Sequence, residues 1–211
     1  RFMLKKDNVL GNALVDMYAK CGMLIQAQEV LEEIPVRDIV SWCGLLAGYV
    51  EQGQGQQALA CFEKMRSECL SPDPVTYTCI LKACAIVGAI DKGKQIHDEI
   101  LHVGFLEKDI VLGNALLDMY AKCNALAKAQ EVLEELPIRN LISWNTLIAG
   151  YSQQGKGPEA LKCFERMESE GLSPDDITFH CVLSSCSHMG MLDEMQMLYG
   201  NMTRKYRINP N

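Results

Sequence analysis

The sequence predicts an all-α solenoid of helix-turn-helix units, and three observations carry that prediction. The stretch Asn8–Asp38 returns as Ile110–Asn140, identical at 22 of 31 positions and offset by 102 residues. At the same offset, Ile39–Asp73 matches Leu141–Asp175 at 21 of 35 positions. A third pair, Pro74–Asp109 and Asp176–Asn211, matches weakly but keeps Thr76/Thr178, Cys79/Cys181, Cys84/Cys186 and Gly88/Gly190. Units of 31, 35 and 36 residues make the long period of 102, and periods of this size mark arrays in which each unit buries its apolar face only against its neighbours.

Within the first unit, Leu10, Ala13, Leu14, Met17, Tyr18 and Cys21 follow a period near 3.6, as do Leu24, Ala27, Val30, Leu31 and Ile34. Cys21-Gly22 interrupts the first run and Pro35 ends the second, which predicts an antiparallel hairpin of two helices. In the second unit a helix is expected from Trp42 to about Val50. A break follows at Gln52–Gly55, then a helix carrying Ala58, Leu59, Phe62 and Met65 and stopped by Leu70-Ser71-Pro72-Asp73. The third unit breaks at Gly88. No segment alternates with period two, so no strand is predicted. Residues 1–7 (RFMLKKD) read as the tail of a preceding repeat, and the chain as part of a longer array.

Net charge is −7, against the basic balance usual for nucleic-acid binding, although a groove can be locally basic while the outer face is acidic. EVLEEIP and EVLEELP place much of the negative charge in the second half of their units, where an outward face is expected. No apolar run approaches the roughly 18–20 residues that cross a bilayer, and no membrane partner is expected. None of the ten cysteines forms a C-x-x-C pair. They read as free thiols in apolar packing, pointing to a reducing compartment.

One face of each first helix is different. Val9, Asn12, Asp16 and Lys20 share a stripe that Val111, Asn114, Asp118 and Lys122 repeat. In the second unit the stripe is Val40, Cys43, Ala47 and Glu51, and in its copy Ile142, Asn145, Ala149 and Gln153. The residues alone leave two readings open: a lining of the concave surface, or a solvated helix face edged by an aliphatic.

The phrases SWNTLIAGY, ALKCFERM, LSPD and DMYAKC, with the 31/35/36 alternation, resemble a pentatricopeptide repeat (PPR) protein of the plant PLS subclass. On that resemblance, residues 8–38 and 110–140 are S-type repeats, 39–73 and 141–175 P-type, 74–109 L-type, and 176–211 a divergent terminal L-type. The fold it implies is a right-handed superhelix, and the function is sequence-specific binding of single-stranded RNA, one base per repeat. The second residues of the motifs, Val9, Val40, Val75, Val111, Ile142 and Ile177, would pack against bases. The fifth/last pairs would read them: Asn12/Asp38, Cys43/Asp73, Thr78/Asp109, Asn114/Asn140, Asn145/Asp175 and His180/Asn211. The family's code then implies 5′-U-N-G-Y-U-N-3′, with Cys43 and His180 departing from the expected residue types. Lys20 and Lys122 match positions near the phosphates.

The resemblance further implies a mitochondrial or chloroplast protein in RNA processing, C-to-U editing foremost. Expected partners besides RNA are an editing helper protein that grips L-type repeats and, because a cut array lacks a polar cap, a second copy of the chain. The alternative is a helical scaffold for proteins, favoured by the negative charge and by Met189, Met191, Met195, Met197 and Met202. No cofactor, metal or catalysis is expected. His97-Asp98-Glu99 spells H-x-E, but no P-C-x-x-C follows to hold zinc, and a deaminase-like domain would lie beyond Asn211. Phosphate-loop and nucleophile-elbow strings are missing too. Trp42 and Trp144, beside Leu45 and Leu147, are expected to pack rather than stack bases.

Overall fold

The computed structural model describes residues 8–208, and every regular element among them is helical. Twelve helices follow in order: α1 (Asn8–Lys20), α2 (Leu24–Glu33), α3 (Ile39–Glu51), α4 (Gly55–Ser67), α5 (Pro74–Val87), α6 (Ile90–Val103), α7 (Ile110–Lys122), α8 (Leu126–Glu135), α9 (Leu141–Gln153), α10 (Gly157–Ser169), α11 (Asp176–Met189) and α12 (Leu192–Arg204). Residues 1–7 and Asn211 lie outside the described residues.

Capping chemistry sets where the helices begin. Asp38 and Asp175 each accept a hydrogen bond from the backbone N–H three residues on, closing α3 and α11 with a capping box, and Asn140 does the same for α9. Asp73 caps α5, with Pro74 at its first position, where a missing N–H costs nothing. These caps explain why α3 begins at Ile39 rather than at Trp42, where the apolar period becomes clear. Gly55 likewise belongs to α4 rather than to the preceding turn. The α1–α2 turn needs a left-handed residue, supplied by Gly22 at φ 73°. Its copy 102 residues on is Asn124 at φ 59°, asparagine being a common non-glycine residue there.

The chain divides into two compact units, Arg1–Ala115 and Leu116–Asn211. In the first, α3 packs against α1, α2, α4 and α5, and α5 also packs against α4 and α6. Val15, Ala19, Leu31, Leu46, Phe62, Met65, Ile80, Leu81 and Ile96 form its core. A side chain at Gly48 would meet Ala19 Cβ at 2.6 Å and Leu24 Cδ2 at 2.9 Å, so this glycine lets α3 approach α1 closely. In the second unit, α9 packs against α8, α10 and α11, and α11 against α10 and α12, around Tyr120, Leu133, Trp144, Ile148, Phe164, Met167, Phe179 and Val182.

Both tryptophans are buried. The Trp42 indole N–H donates to Glu68 at 3.0 Å and that of Trp144 to Glu170 at 3.0 Å, so the polar edge of each ring is satisfied. Glu68 in turn pairs with Arg37 at 2.5 Å and Glu170 with Arg139 at 3.2 Å. All ten cysteines are free, but apolar packing claims only some of them. Cys61, Cys84, Cys163 and Cys186 are buried, Cys43, Cys79, Cys123 and Cys181 half-buried, and Cys21 and Cys69 exposed. The exposed two follow the ends of α1 and α4, where turn geometry rather than the apolar period places them. Of the five methionines in the last unit, Met202 is buried, Met189 and Met197 are exposed, and Met191 and Met195 are half-buried.

Candidate functional site

Val9, Val40, Val75, Val111, Ile142 and Ile177 are each the second residue of their helix, on α1, α3, α5, α7, α9 and α11. All are 60–77% exposed. Single exposed aliphatics are ordinary. A β-branched aliphatic left in water at the same register of every first helix is a built feature, since burying each against a partner would contribute about 1 kcal/mol.

One turn on from Val9 stands Asn12. Its Nδ2 donates to Asp38 Oδ1 at 3.2 Å, and its Oδ1 accepts from the Ser41 hydroxyl at 2.7 Å. Asp38 Oδ1 also accepts from the Ser41 backbone N–H at 2.9 Å. Burial pushes the Asp38 carboxyl up, but the bonds from Ser41 and Asn12 outweigh it and hold the group below the ordinary carboxylate range. The carboxylate is therefore charged at neutral pH.

The second unit builds the same arrangement. Asn145 Nδ2 donates to Asp175 Oδ1 at 3.0 Å, and Asn145 Oδ1 accepts from Thr178 Oγ1 at 2.6 Å. Asp175 is lowered for the same reasons, burial opposing and the Thr178 and Asn145 bonds prevailing. Ile142, Asn145, Asp175 and Ile177 line one open cavity of about 330 Å³, together with Asp118, Lys122, Thr146 and Ala149. Two aliphatic side chains, an amide–carboxylate pair and one lysine thus line the same cavity, so it offers apolar contact beside hydrogen-bonding groups.

The remaining predicted residues differ in chemistry or partners. The Cys43 thiol lies 3.0 Å from Thr76 Oγ1, and that hydroxyl donates to Asp73 at 2.7 Å. Burial pushes the thiol up to about 11, so it stays protonated and offers only a weak donor. Thr78 spends its hydroxyl on the Pro74 carbonyl at 2.9 Å, while Asp109 accepts from the N–H groups of Val111 and Leu112, so this pair is not hydrogen-bonded together. Asn114 is half-buried on α7, Asn140 caps α9, and His180 is exposed on α11. Lys20 and Lys122 pair with Asp16 at 2.7 Å and Asp118 at 2.8 Å one turn back on their own helices.

Four residues beyond those predicted stand beside the last members of the pairs, and three of them, Ser41, Thr76 and Thr178, contact both members of a pair. Ser41, Thr76, Ser143 and Thr178 are fully buried hydroxyls at the third residue of α3, α5, α9 and α11. The signal was present as D-x-x-S, D-x-x-T and N-x-x-S, a helix-start pattern. At the corresponding place in α7 stands Leu112.

A second cavity of about 380 Å³, in the first unit, is lined by residues including Gln28, Trp42, Tyr49, Cys61 and Lys64 and holds none of the predicted site residues. Among the described residues no group of three metal-ligating side chains converges, and no helix is long and apolar enough to cross a membrane.

Comparison with known proteins agrees with this architecture. The PPR repeat model matches residues 12–39, 75–105, 114–141 and 177–206, and the PPR repeat family model residues 37–86 and 139–188. The chain belongs to the pentatricopeptide repeat family. It is 37% identical over 202 residues to the pentatricopeptide repeat-containing protein At4g30700 of Arabidopsis thaliana, covering 96% of this chain and 25% of that protein. To At3g28640 it is 39% identical over 205 residues, covering 97% and 41%. To the chloroplastic At1g08070 it is 38% identical over 203 residues, covering 94% and 27%. The chain thus spans well under half the length of these plant relatives. Among solved structures, maize PPR10 aligns with a TM-score of 0.76 at 24% identity, over 95% of this chain and 30% of that one. PPR10 in complex with an 18-nt psaJ RNA element aligns at 0.50 and 22% identity, over 95% and 40%. These likenesses bear on the fold, which is that of PPR solenoid proteins.

Proposed function

We propose that the chain is a recognition module for single-stranded RNA, reading one base per repeat along the face that carries the exposed β-branched residues. One observation supports this most: in the second unit two such side chains, Ile142 and Ile177, flank an oriented Asn145–Asp175 pair in one open cavity. A base inserted there gains apolar contact on both faces and hydrogen bonds at its edge, the combination that single-stranded RNA offers. That PPR10 has been crystallised with RNA adds support from the family.

On this reading Val9, Val40, Val75, Val111, Ile142 and Ile177 pack against bases, and the fifth/last pairs, Asn12/Asp38 through His180/Asn211, read them as 5′-U-N-G-Y-U-N-3′. Asn211 lies outside the described residues. Lys20 and Lys122 approach phosphates, each already sharing its charge with an aspartate. The repeat boundaries are those of the S, P and L units given above. The parent protein acts in a plant organelle, in editing or another processing step, and the chloroplastic relative supports that placement. Selection from a random RNA pool tests the reading: enrichment of U at the two Asn/Asp repeats supports it, and an unbiased pool contradicts it.

A second reading, a scaffold for proteins, is favoured by Leu192, Met197 and Tyr199, each exposed on α12. On that reading an editing helper or a second copy of the chain would be bound, with little affinity for RNA.

A further inference from the structure

The buried hydroxyls divide the repeats into two kinds. At Asn12/Asp38 and at Asn145/Asp175, a Ser or Thr from the next unit's first helix bridges both members of the pair. Ser41 Oγ lies 2.7 Å from Asn12 Oδ1 and 2.9 Å from Asp38 Oδ1. Thr178 Oγ1 lies 2.6 Å from Asn145 Oδ1 and 2.8 Å from Asp175 Oδ1. The two triads recur in separate compact units with nearly equal distances. At Thr78/Asp109 the position holds Leu112, and each member of the pair is satisfied by backbone instead.

The chemistry of an amide makes this difference matter. A carboxamide turned over about its terminal bond exchanges its donor and its acceptor, and an unconstrained amide samples both orientations at little cost. A carboxylate accepts only, so it draws the amide nitrogen toward itself. A hydroxyl carries one proton and two lone pairs, so one that already accepts from an N–H can still donate to an acceptor oxygen beside it. Ser41 Oγ accepts from the Asp38 N–H and Thr178 Oγ1 from the Asp175 N–H, both at 3.2 Å, and each presents its one proton to the amide oxygen and the carboxylate oxygen beside it, with the shorter contact to the amide. The pair thus holds the amide from both ends, leaving one N–H and one lone pair in a fixed order. Uracil and cytosine are nearly the same shape, but their pairing edges carry donor and acceptor in opposite order.

We infer that Ser41 and Thr178 are positioning residues for base choice: by fixing the orientation of Asn12 and Asn145 they make those repeats distinguish uracil from cytosine. The inference rests on the RNA-reading function proposed above. It adds to the fifth/last pairs a third, buried participant from the following repeat. A repeat whose successor carries an aliphatic residue there, as Leu112 does for Thr78/Asp109, has no such lock.

The test uses the whole chain and fluorescence anisotropy with U-N-G-Y-U-N RNAs carrying U or C at base five (Asn145) or base one (Asn12). Thr178→Val removes the hydroxyl at nearly constant volume, and Thr178→Ser restores it. Wild type is expected to prefer U at both bases. Thr178→Val should lose about fivefold of that preference at base five, the shift one neutral hydrogen bond carries, and keep it at base one. Thr178→Ser should behave as wild type. Ser41→Ala and Ser41→Thr give the mirrored result at base one and carry the test if Thr178→Val does not fold. Unchanged preference at base five overturns the inference while leaving RNA reading intact, and equal loss at both bases assigns the hydroxyl a general structural role and overturns it too. Wild-type binding without any U/C preference contradicts the base-reading function itself.

Discussion

The Asn145 amide donates to Asp175 at 3.0 Å across 30 residues of sequence, and Asp175 is at the same time the cap of α11. One carboxylate thus closes the start of a helix and orients a side chain on the first helix of the preceding repeat. The same holds for Asn12 and Asp38 at 3.2 Å. A residue with two such duties couples the stability of the hairpin stack to the geometry of the site.

The coupling has a pH signature. Asp38 and Asp175 titrate below the ordinary range in the folded chain, because hydrogen bonds to the charged form outweigh burial. Such a group adds stability above its unfolded pKa of about 3.9, and that addition is lost as pH falls through the lower folded value. Asp175→Asn keeps the capping oxygen, as Asn140 does at α9, but not the charge. Urea midpoints from about pH 7 to about pH 2 should therefore fall less steeply for the variant than for the wild type. Parallel curves would mean that Asp175 is not held low.

Helix approach is set by two glycines at equivalent places. A Cβ at Gly150 would sit 2.7 Å from Leu126 Cδ2 and 3.2 Å from Ala121 Cβ. Gly150→Ala is expected to cost about 1–3 kcal/mol, as overpacking does. Gly200, inside α12, has nothing within 4 Å of its Cβ position. Gly200→Ala should stabilise by about 0.5–1 kcal/mol through helix propensity. Chemical denaturation of the two variants separates them, and a tolerated Gly150→Ala would contradict the close packing.

Thiol reactivity should follow position. Cys21 and Cys69 are exposed, whereas burial pushes Cys43, Cys61 and Cys163 up to about 11, 12 and 11. Reactive thiolate is scarce at those three near neutral pH. Iodoacetamide labelling read by peptide mass spectrometry should modify Cys21 and Cys69 first. Early labelling of Cys61 would show that α4 opens away from its neighbours.

The exposed aliphatic row predicts a separation of stability from binding. Val40→Ser and Ile177→Ser remove side chains that are 60% exposed, so thermal stability should change by less than about 0.5 kcal/mol. RNA affinity should fall by about 1 kcal/mol or more per substitution, as when base stacking is lost. Variants that bind RNA as the wild type does would remove the row from the site.

Much of this was legible in the sequence, and for identifiable reasons. The repeat comes from self-comparison, and the hairpins from Gly22, Pro35, Gly88 and the apolar period. The helical period placed Val9, Val40, Val111 and Ile142 on a stripe, and the full row from Val9 to Ile177 came from the second motif position of the family that the sequence resembles. The buried hydroxyls were hidden because Ser41 and Thr178 act across unit boundaries, on an amide 29 or 33 residues earlier. The pairing of Lys20 with Asp16 is an ordinary contact one turn apart, and their shared place on one stripe is equally consistent with a functional face. That Thr78 would turn to the Pro74 carbonyl depended on rotamer competition within the helix, which residue type does not decide.

The most direct measurement is fluorescence anisotropy of the whole chain with labelled U-N-G-Y-U-N RNA against a scrambled RNA of equal composition, over a series of salt concentrations. Base reading predicts tighter binding of the ordered RNA at every salt concentration, with a shallow slope because Lys20 and Lys122 are already paired with Asp16 and Asp118. Equal affinity for both RNAs with a steep slope would reduce the interaction to phosphate contact, and no binding to either would contradict RNA recognition by this chain.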